Sequence, residues 1–285
     1  MYIDSSLEPG HMTVGGLLLC GKSRREVLFS TYFCHPSLAN DNLSGLVLQV
    51  FLARELSKRK LKFSYRFLFA PETIGSLAYF SHNPGSLEEI GAGLVLTCVG
   101  GPRKFRYKQS FESKHYINRY IEETLTESGD GFEVCPFDIH GSDERQYSSP
   151  GFRINTASIH KDKYYEYAEY LTSLDNLDLV NAEKIFETYE LYLRVIEKME
   201  SDSFYERIIL PGEVMLSQYG LYPETGGGQT PQNETQNELD LLLGFLFHCD
   251  GVTPLSQIAG ALGMSLGEIK PLADKLIEKG VLAEL

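Results

Sequence analysis

The chain has no tryptophan, few cysteines, too few basic residues to balance its acids, and no long apolar run. The last of these excludes a membrane-spanning helix, which needs roughly 18 apolar residues in succession. Cys20, Cys34, Cys98, Cys135 and Cys249 stand singly, without a CxxC pair. An odd, dispersed set reads as reduced and mostly buried thiols rather than a disulfide framework. With 26 basic against 39 acidic side chains, the formal charge is −13 and the pI is near 5.0. A whole-molecule basic footprint for nucleic acid or an anionic membrane is therefore missing. The N-terminus lacks the basic and apolar regions of a signal peptide, so a soluble cytoplasmic protein is expected. The lack of tryptophan excludes nothing.

What is present is ordinary globular composition: 285 residues, 42% hydrophobic and 23% charged, enough for one large domain with an appendage. The opening residues predict a hairpin, with Tyr2-Ile3 and Met12–Leu19 about a Pro9-Gly10 turn. Strands are predicted at Glu26–Phe33, Phe63–Ala70, Gly93–Val99 and Phe152–Ile159. Helices are predicted at Leu43–Ser57, Ile74–Ser81, His115–Ser128 and Ala182–Met199, from apolar residues recurring on one face. Such alternation gives an α/β fold, a mostly parallel sheet with helices on both faces.

A composition break follows. Residues 223–235 form a Gly/Pro/Asn/Gln-rich linker, dividing an α/β domain at 1–222 from a small domain at 236–285. In the small domain, helices are predicted at Leu241–His248, Leu255–Leu262 and Leu266–Lys279, then a strand at Val281–Leu285, which is winged-helix organisation. Between Gln236 and Leu285 there are seven acids against three bases. That charge argues against a DNA reader and for a protein-contact module, including contact with a second copy. No nucleic-acid or membrane partner is expected.

In open parallel sheets, ligands gather at the carboxyl ends of the strands. Three candidate ligands fall just past the predicted strands: His35 and Asp41 after the first, Glu72 after the second. One imidazole and two carboxylates suit Zn²⁺ or Mn²⁺. Singly, each has an ordinary explanation, a solvated loop histidine or a helix-capping acid; their joint placement is what points to a metal. Cys34 is read as a core residue, because neighbours in an extended segment point to opposite faces. His140 and His160 lie in the right part of the chain to substitute as ligand or base.

The strings YFCHPSLANDNLSG, YRFLFAPETIGS, GSDERQYSSPGF and EYLTSLDNLDLV resemble the aminopeptidase-like domain proteins, within the larger group of co-catalytic zinc aminopeptidases that includes the glutaminyl cyclases. The resemblance runs from about Tyr2 to Tyr222, and such proteins often carry a winged-helix tail. It implies a phosphorylase/hydrolase-like three-layer α/β/α sandwich, with a two-zinc site of five protein ligands and a glutamate base. His35 matches a metal ligand, Asp41 the bridging carboxylate, and Glu72 the acidic motif in which base and ligand are adjacent glutamates. Asp143, with Arg145 and Tyr147, matches a segment near the substrate. Two positions depart: relatives place an aspartate where this chain has Gly101, and a histidine where it has Leu171. Relatives also carry an upstream region, so the chain is expected to begin partway through the pattern.

The implied function is hydrolysis of an N-terminal aminoacyl amide bond, of a peptide or an aminoacyl small molecule, by metal-bound water. The alternative is a non-catalytic protein that keeps the fold for binding or assembly, linked to surface-polysaccharide biosynthesis. A winged-helix regulator is the third reading, disfavoured by charge.

Overall fold

The computed structural model describes residues 3–208, 212–222 and 234–285. The chain divides into two compact units, 1–196 and 197–285. The first is built on a seven-stranded sheet. Its strands are β1 (Gly15–Leu19), β2 (Glu26–Tyr32), β3 (Ser64–Ala70), β4 (Ile90–Val95), β5 (Arg106–Lys108), β6 (Glu133–Cys135) and β7 (Thr156–His160), in the order β1-β3-β2-β4-β7-β5-β6. Strand β2 runs parallel to both β3 and β4, and β4 parallel to β7. β1 and β5 add antiparallel to β3 and β7, so the sheet is mixed but mostly parallel. The helices are α1 (Gly45–Leu56), α2 (Ile74–His82), α3 (Tyr116–Ser128), α4 (Glu144–Tyr147) and α5 (Ala182–Ser201).

All of β2 is buried, and its residues alternate between two cores as the pleat requires. On one face Leu28 packs with Leu68, Phe80 of α2 and Tyr147 of α4. On the other, the Phe29 ring lies 5.3 Å from Phe67 and 6.3 Å from Tyr192 of α5. Arg66 grips Glu26 on the adjacent strand at 2.5 and 2.8 Å, a two-pronged pair on the α2 face. The expected strands and helices of this unit are present, displaced by a few residues at their ends.

Among the described residues the expected N-terminal hairpin is not seen, Tyr2 of its first strand lying outside them. Residues 3–14 make no strand, and β1 instead pairs along β3 from Gly15↔Phe69 to Leu19↔Tyr65. Ile3 and Leu7 are exposed, so an N-terminal strand would have no apolar surface to cover. A preformed, buried β3 offers a better partner than a lone two-stranded ribbon.

The second unit has its own core and its own sheet. Its strands are β8 (Phe204–Arg207), β9 (Asp250–Pro254) and β10 (Leu282–Glu284), antiparallel in the order β10-β8-β9. Helices α6 (Glu234–His248), α7 (Leu255–Ala261) and α8 (Leu266–Glu278) bury Phe245, Ile258, Ile269 and Leu276 together. Ser265 caps α8 in a reciprocal box with Glu268. Because β8 sits between the other two strands, residues 204–207 belong with this unit, upstream of the expected boundary at 222. Residues 223–233 of the expected linker lie outside the described residues. Among the described residues, no helix is long and apolar enough to cross a membrane.

Phe67 is fully buried, with its ring stacked on Phe29. Phe67→Ala should cost about 3–5 kcal/mol, read as a lowered urea midpoint at unchanged slope.

Candidate functional site

The carboxyl ends of β2, β3, β4 and β7 lie side by side, and each delivers a short loop to the same edge. After β2 come Cys34 and His35. The turn Ala39–Ser44 then leads into α1 and carries Asn40, Asp41 and Asn42, all buried. After β3 comes Glu72, after β4 Thr97 and Cys98, and after β7 Asp162.

The 39–44 turn is held from below and from the side. The backbone amides of Asn40 and Asp41 donate to the two oxygens of Asp175 at 2.6 and 3.0 Å. Asn42 donates to Thr31 and to the Leu96 carbonyl, each at 2.9 Å. Gly45 is required because a Cβ there would stand 2.3 Å from the Leu96 oxygen. These contacts explain the residues of the Asn-Asp-Asn-Leu-Ser-Gly string as a local structure, before any chemistry.

Within that frame His35, Asp41 and Glu72 converge as expected. Asp41 Oδ2 lies 3.4 Å from His35 Nδ1, and His35 Nε2 lies 3.9 Å from Glu72 Oε2. Asp41 Oδ1 accepts a short hydrogen bond from the Tyr32 hydroxyl, which lies 2.7 Å from Thr97 Oγ1. His35 Nδ1 and Asp41 Oδ2 are both buried and have no hydrogen-bond partner. Burial pushes the Asp41 carboxyl up, opposed by the Tyr32 hydroxyl and His35. Burial also pushes Glu72 up, opposed by Ser142 and reinforced by the Asp41 charge. Apart from their 3.4 Å contact with each other, His35 Nδ1 and Asp41 Oδ2 have no partner, and an imidazole with two carboxylates is a donor set that suits a cation.

The two positions read as lost ligands, Leu171 and Gly101, supply no ligand atom here. Leu171, expected as a lost ligand position, is half exposed. At Gly101 a Cβ would lie 1.4 Å from Asp162 Oδ2, so the Asp162 carboxylate fills the space a side chain would need. That carboxylate is already engaged, by Arg103 at 2.6 Å and by Asn40 at 3.2 Å. Asp162 and Arg103 are functional-edge residues that the sequence reading missed. The signal was there, since Asp162 lies just past the end of β7, but the predicted strand stopped one residue early.

The other predicted positions divide. Asp143 is buried, and its Oδ1 accepts from the Thr73 amide at 2.7 Å and from Ser76 at 3.1 Å. Thr73 has φ +60°, a strained value for a β-branched residue, so Asp143 fixes the turn that aims Glu72. Tyr147 is core, with its hydroxyl 2.6 Å from Ser30. Arg145 is exposed, with a 3.5 Å contact to the Ile139 carbonyl. Neither reaches the His35 group. His160 is fully buried against Tyr164, with both ring nitrogens unpartnered, and burial depresses it to about 3; it is neutral. His140 is exposed.

Cys34 is exposed, not core. Strand β2 ends at Tyr32, and the chain bends through His35-Pro36-Ser37 with φ +65° at Ser37, so strand alternation no longer applies. Cys34 Sγ, a His35 nitrogen and a Glu72 oxygen all lie within 4.8 Å of one another. A cleft of about 570 Å³ opens beside them, lined by Phe33, Leu38, Leu43, Leu46, Asn176 and Leu177.

Comparison with known proteins assigns both parts of the chain to families. Residues 4–202 match the family described as a domain of unknown function, DUF4910, and residues 203–284 match a winged helix-turn-helix. A Clostridium acetobutylicum protein, provisionally named as a polysaccharide biosynthesis protein with an aminopeptidase-like domain, is 41% identical over 97% of this chain. This chain covers 62% of that relative. The crystal structure of a provisionally assigned peptidase from the same organism superposes with a TM-score of 0.68 at 36% identity, over 95% of this chain and 60% of that one. The chain thus spans about three fifths of the length of these relatives. The zinc aminopeptidase BSAP of Bacillus subtilis shares the fold, with a TM-score of 0.56 at 16% identity over 65% of this chain and 49% of that one.

Two outcomes test this geometry. Gly101→Ala should lower stability by about 1–3 kcal/mol in urea unfolding, and the cost should shrink in an Asp162→Ala background. Asp143 is pushed by burial from 3.8 to about 7 in the folded chain. Between those values the folded state keeps a proton that the unfolded state has lost, so stability falls as pH rises through that window and levels off above it. In metal-free protein, Asp143→Asn should remove that fall while retaining the oxygen that accepts from Thr73. Unfolding curves at pH 4.5 and pH 8 read it directly.

Proposed function

The chain belongs to the DUF4910 family, and on that premise we propose that it is a zinc-dependent hydrolase of the aminopeptidase-like kind, cleaving an N-terminal aminoacyl amide bond. The observation that carries the reading is the convergence of His35, Asp41 and Glu72, with Asp41 3.4 Å and Glu72 3.9 Å from the two nitrogens of one imidazole. His35, Asp41 and Glu72 are the residues that gather a single ion. When bound, zinc supplies Lewis-acid polarisation of the scissile carbonyl and lowers the pKa of water.

The chain's own groups do the rest. One oxygen of Glu72 faces His35, which leaves the other to take and return a proton. A carboxyl raised by burial suits that exchange better than an exposed one. Asp143, through Thr73 and Ser76, holds Glu72 in place and is a positioning residue. The cleft walls of Phe33, Leu38, Leu43, Leu46 and Leu177 would receive an apolar side chain of a peptide or an aminoacyl small molecule. The cysteines are all unpaired, which supports a reducing, cytoplasmic setting. The acidic second unit supports contact with protein, a second copy included, over contact with nucleic acid.

A second reading draws on the Asp162–Arg103 pair at Gly101 and on the exposed Leu171: a non-catalytic member that binds or assembles in polysaccharide biosynthesis. Elemental analysis together with hydrolysis of aminoacyl anilides, with added Zn²⁺ or Mn²⁺, separates the two. The hydrolase reading expects one ion per chain and turnover that drops at least about 100-fold in Glu72→Gln. No metal at micromolar zinc and no turnover on any aminoacyl substrate would overturn the hydrolase reading.

A further inference from the structure

One group at this edge has a reach that the three-residue set does not use. Cys34 Sγ stands within 4.8 Å of both a His35 nitrogen and a Glu72 oxygen, on an exposed side chain at a bend. A tetrahedral zinc holds sulfur and nitrogen ligands roughly 3.5 Å apart. Rotation of the Cys34 side chain about its first torsion angle is the movement that would close the remaining gap.

We infer that Cys34, His35 and Glu72 are the three protein ligands of a single ion, and that Asp41 stands behind His35 as its orienting carboxylate. The inference rests on the metallohydrolase reading and revises the ligand set given there: Cys34 takes the place of Asp41 on the ion, and Asp41 Oδ2 answers His35 Nδ1 instead. His35 decides the geometry, because its two nitrogens point in different directions. Nε2 faces Glu72 at 3.9 Å, and Nδ1 faces Asp41 at 3.4 Å. With the ion on the Nε2 side, Nδ1 carries the proton and donates it to Asp41 Oδ2. Both atoms are otherwise buried without a partner, and a carboxylate behind a ligating histidine fixes its tautomer and ring plane.

Charge and coordination support the same set. One thiolate and one carboxylate offset the two charges of a zinc ion, and three protein ligands leave a fourth position open, as hydrolytic zinc requires. Asp41, with its other oxygen on Tyr32 and its backbone amide on Asp175, is too firmly held to swing toward the cleft. Cys98, the other cysteine near this edge, is fully buried beside Tyr167 and does not reach the group.

The test loads the whole chain with Co²⁺ alone and reads its absorption. The expected result is one cobalt per chain, the visible bands of a four-coordinate ion and a sulfur-to-cobalt charge-transfer band in the near ultraviolet. Cys34→Ser should lose that band, with far-ultraviolet circular dichroism and the urea midpoint unchanged. Asp41→Asn should keep the band while weakening cobalt binding by roughly 10–100-fold. Stoichiometric cobalt without the charge-transfer band would overturn the Cys34 assignment and leave the hydrolase reading standing. A band that survives Cys34→Ser would overturn it too, by pointing to another sulfur. A chain that binds no cobalt at all would overturn both.

Discussion

The constraint on which this structure depends is the burial of carboxylates at one edge of a sheet. Asp41, Asp143, Asp162 and Asp175 are buried there, with Glu72 beside them. An ionised carboxylate taken from water costs several kcal/mol unless something answers its charge. Each is answered differently. Asp175 takes two backbone amides, Asp162 takes Arg103, and Asp143 keeps a proton to about pH 7. Asp41 and Glu72 have received little, the Tyr32 and Ser142 hydroxyls and a partly exposed imidazole between them. That shortfall beside an imidazole is the physical basis for the cation proposed at His35.

The same edge concentrates backbone strain. Ser37, Thr73, Cys98 and Leu171 all have positive φ without being glycine, and each lies in a loop that follows a strand end or flanks the 39–44 turn. Strain of this kind persists when surrounding structure over-determines it. Here β2 supplies the determination, since it is buried along its whole length between β3 and β4. The sheet's two cores therefore hold the loops in conformations that the loops would not choose alone.

The elements legible in the sequence were those whose signal is periodic or continuous. β2 and β3 are short segments rich in aromatic and aliphatic residues, and α1, α3 and α5 carry an apolar stripe, so pattern reading finds them. Short strands escaped it. β5, β6 and β10 have three residues each, too few to alternate visibly, and β10 was found because it follows a helix. The hairpin error has the same origin: β1 is defined by what it pairs with, and β3 lies about fifty residues further along the chain.

The sequence by itself determined the α/β class, the winged-helix tail, and the convergence of His35, Asp41 and Glu72, because strand ends and the residues after them are local features. Tertiary structure decided everything that depends on which distant groups meet. It put Asp162 into the space beside Gly101, turned Asp143 from a substrate contact into a brace for Thr73, and brought Cys34 out of the core to His35. Each of those outcomes joins loops separated by up to about seventy residues. Spacing along a chain cannot report a distance that only the closed sheet sets.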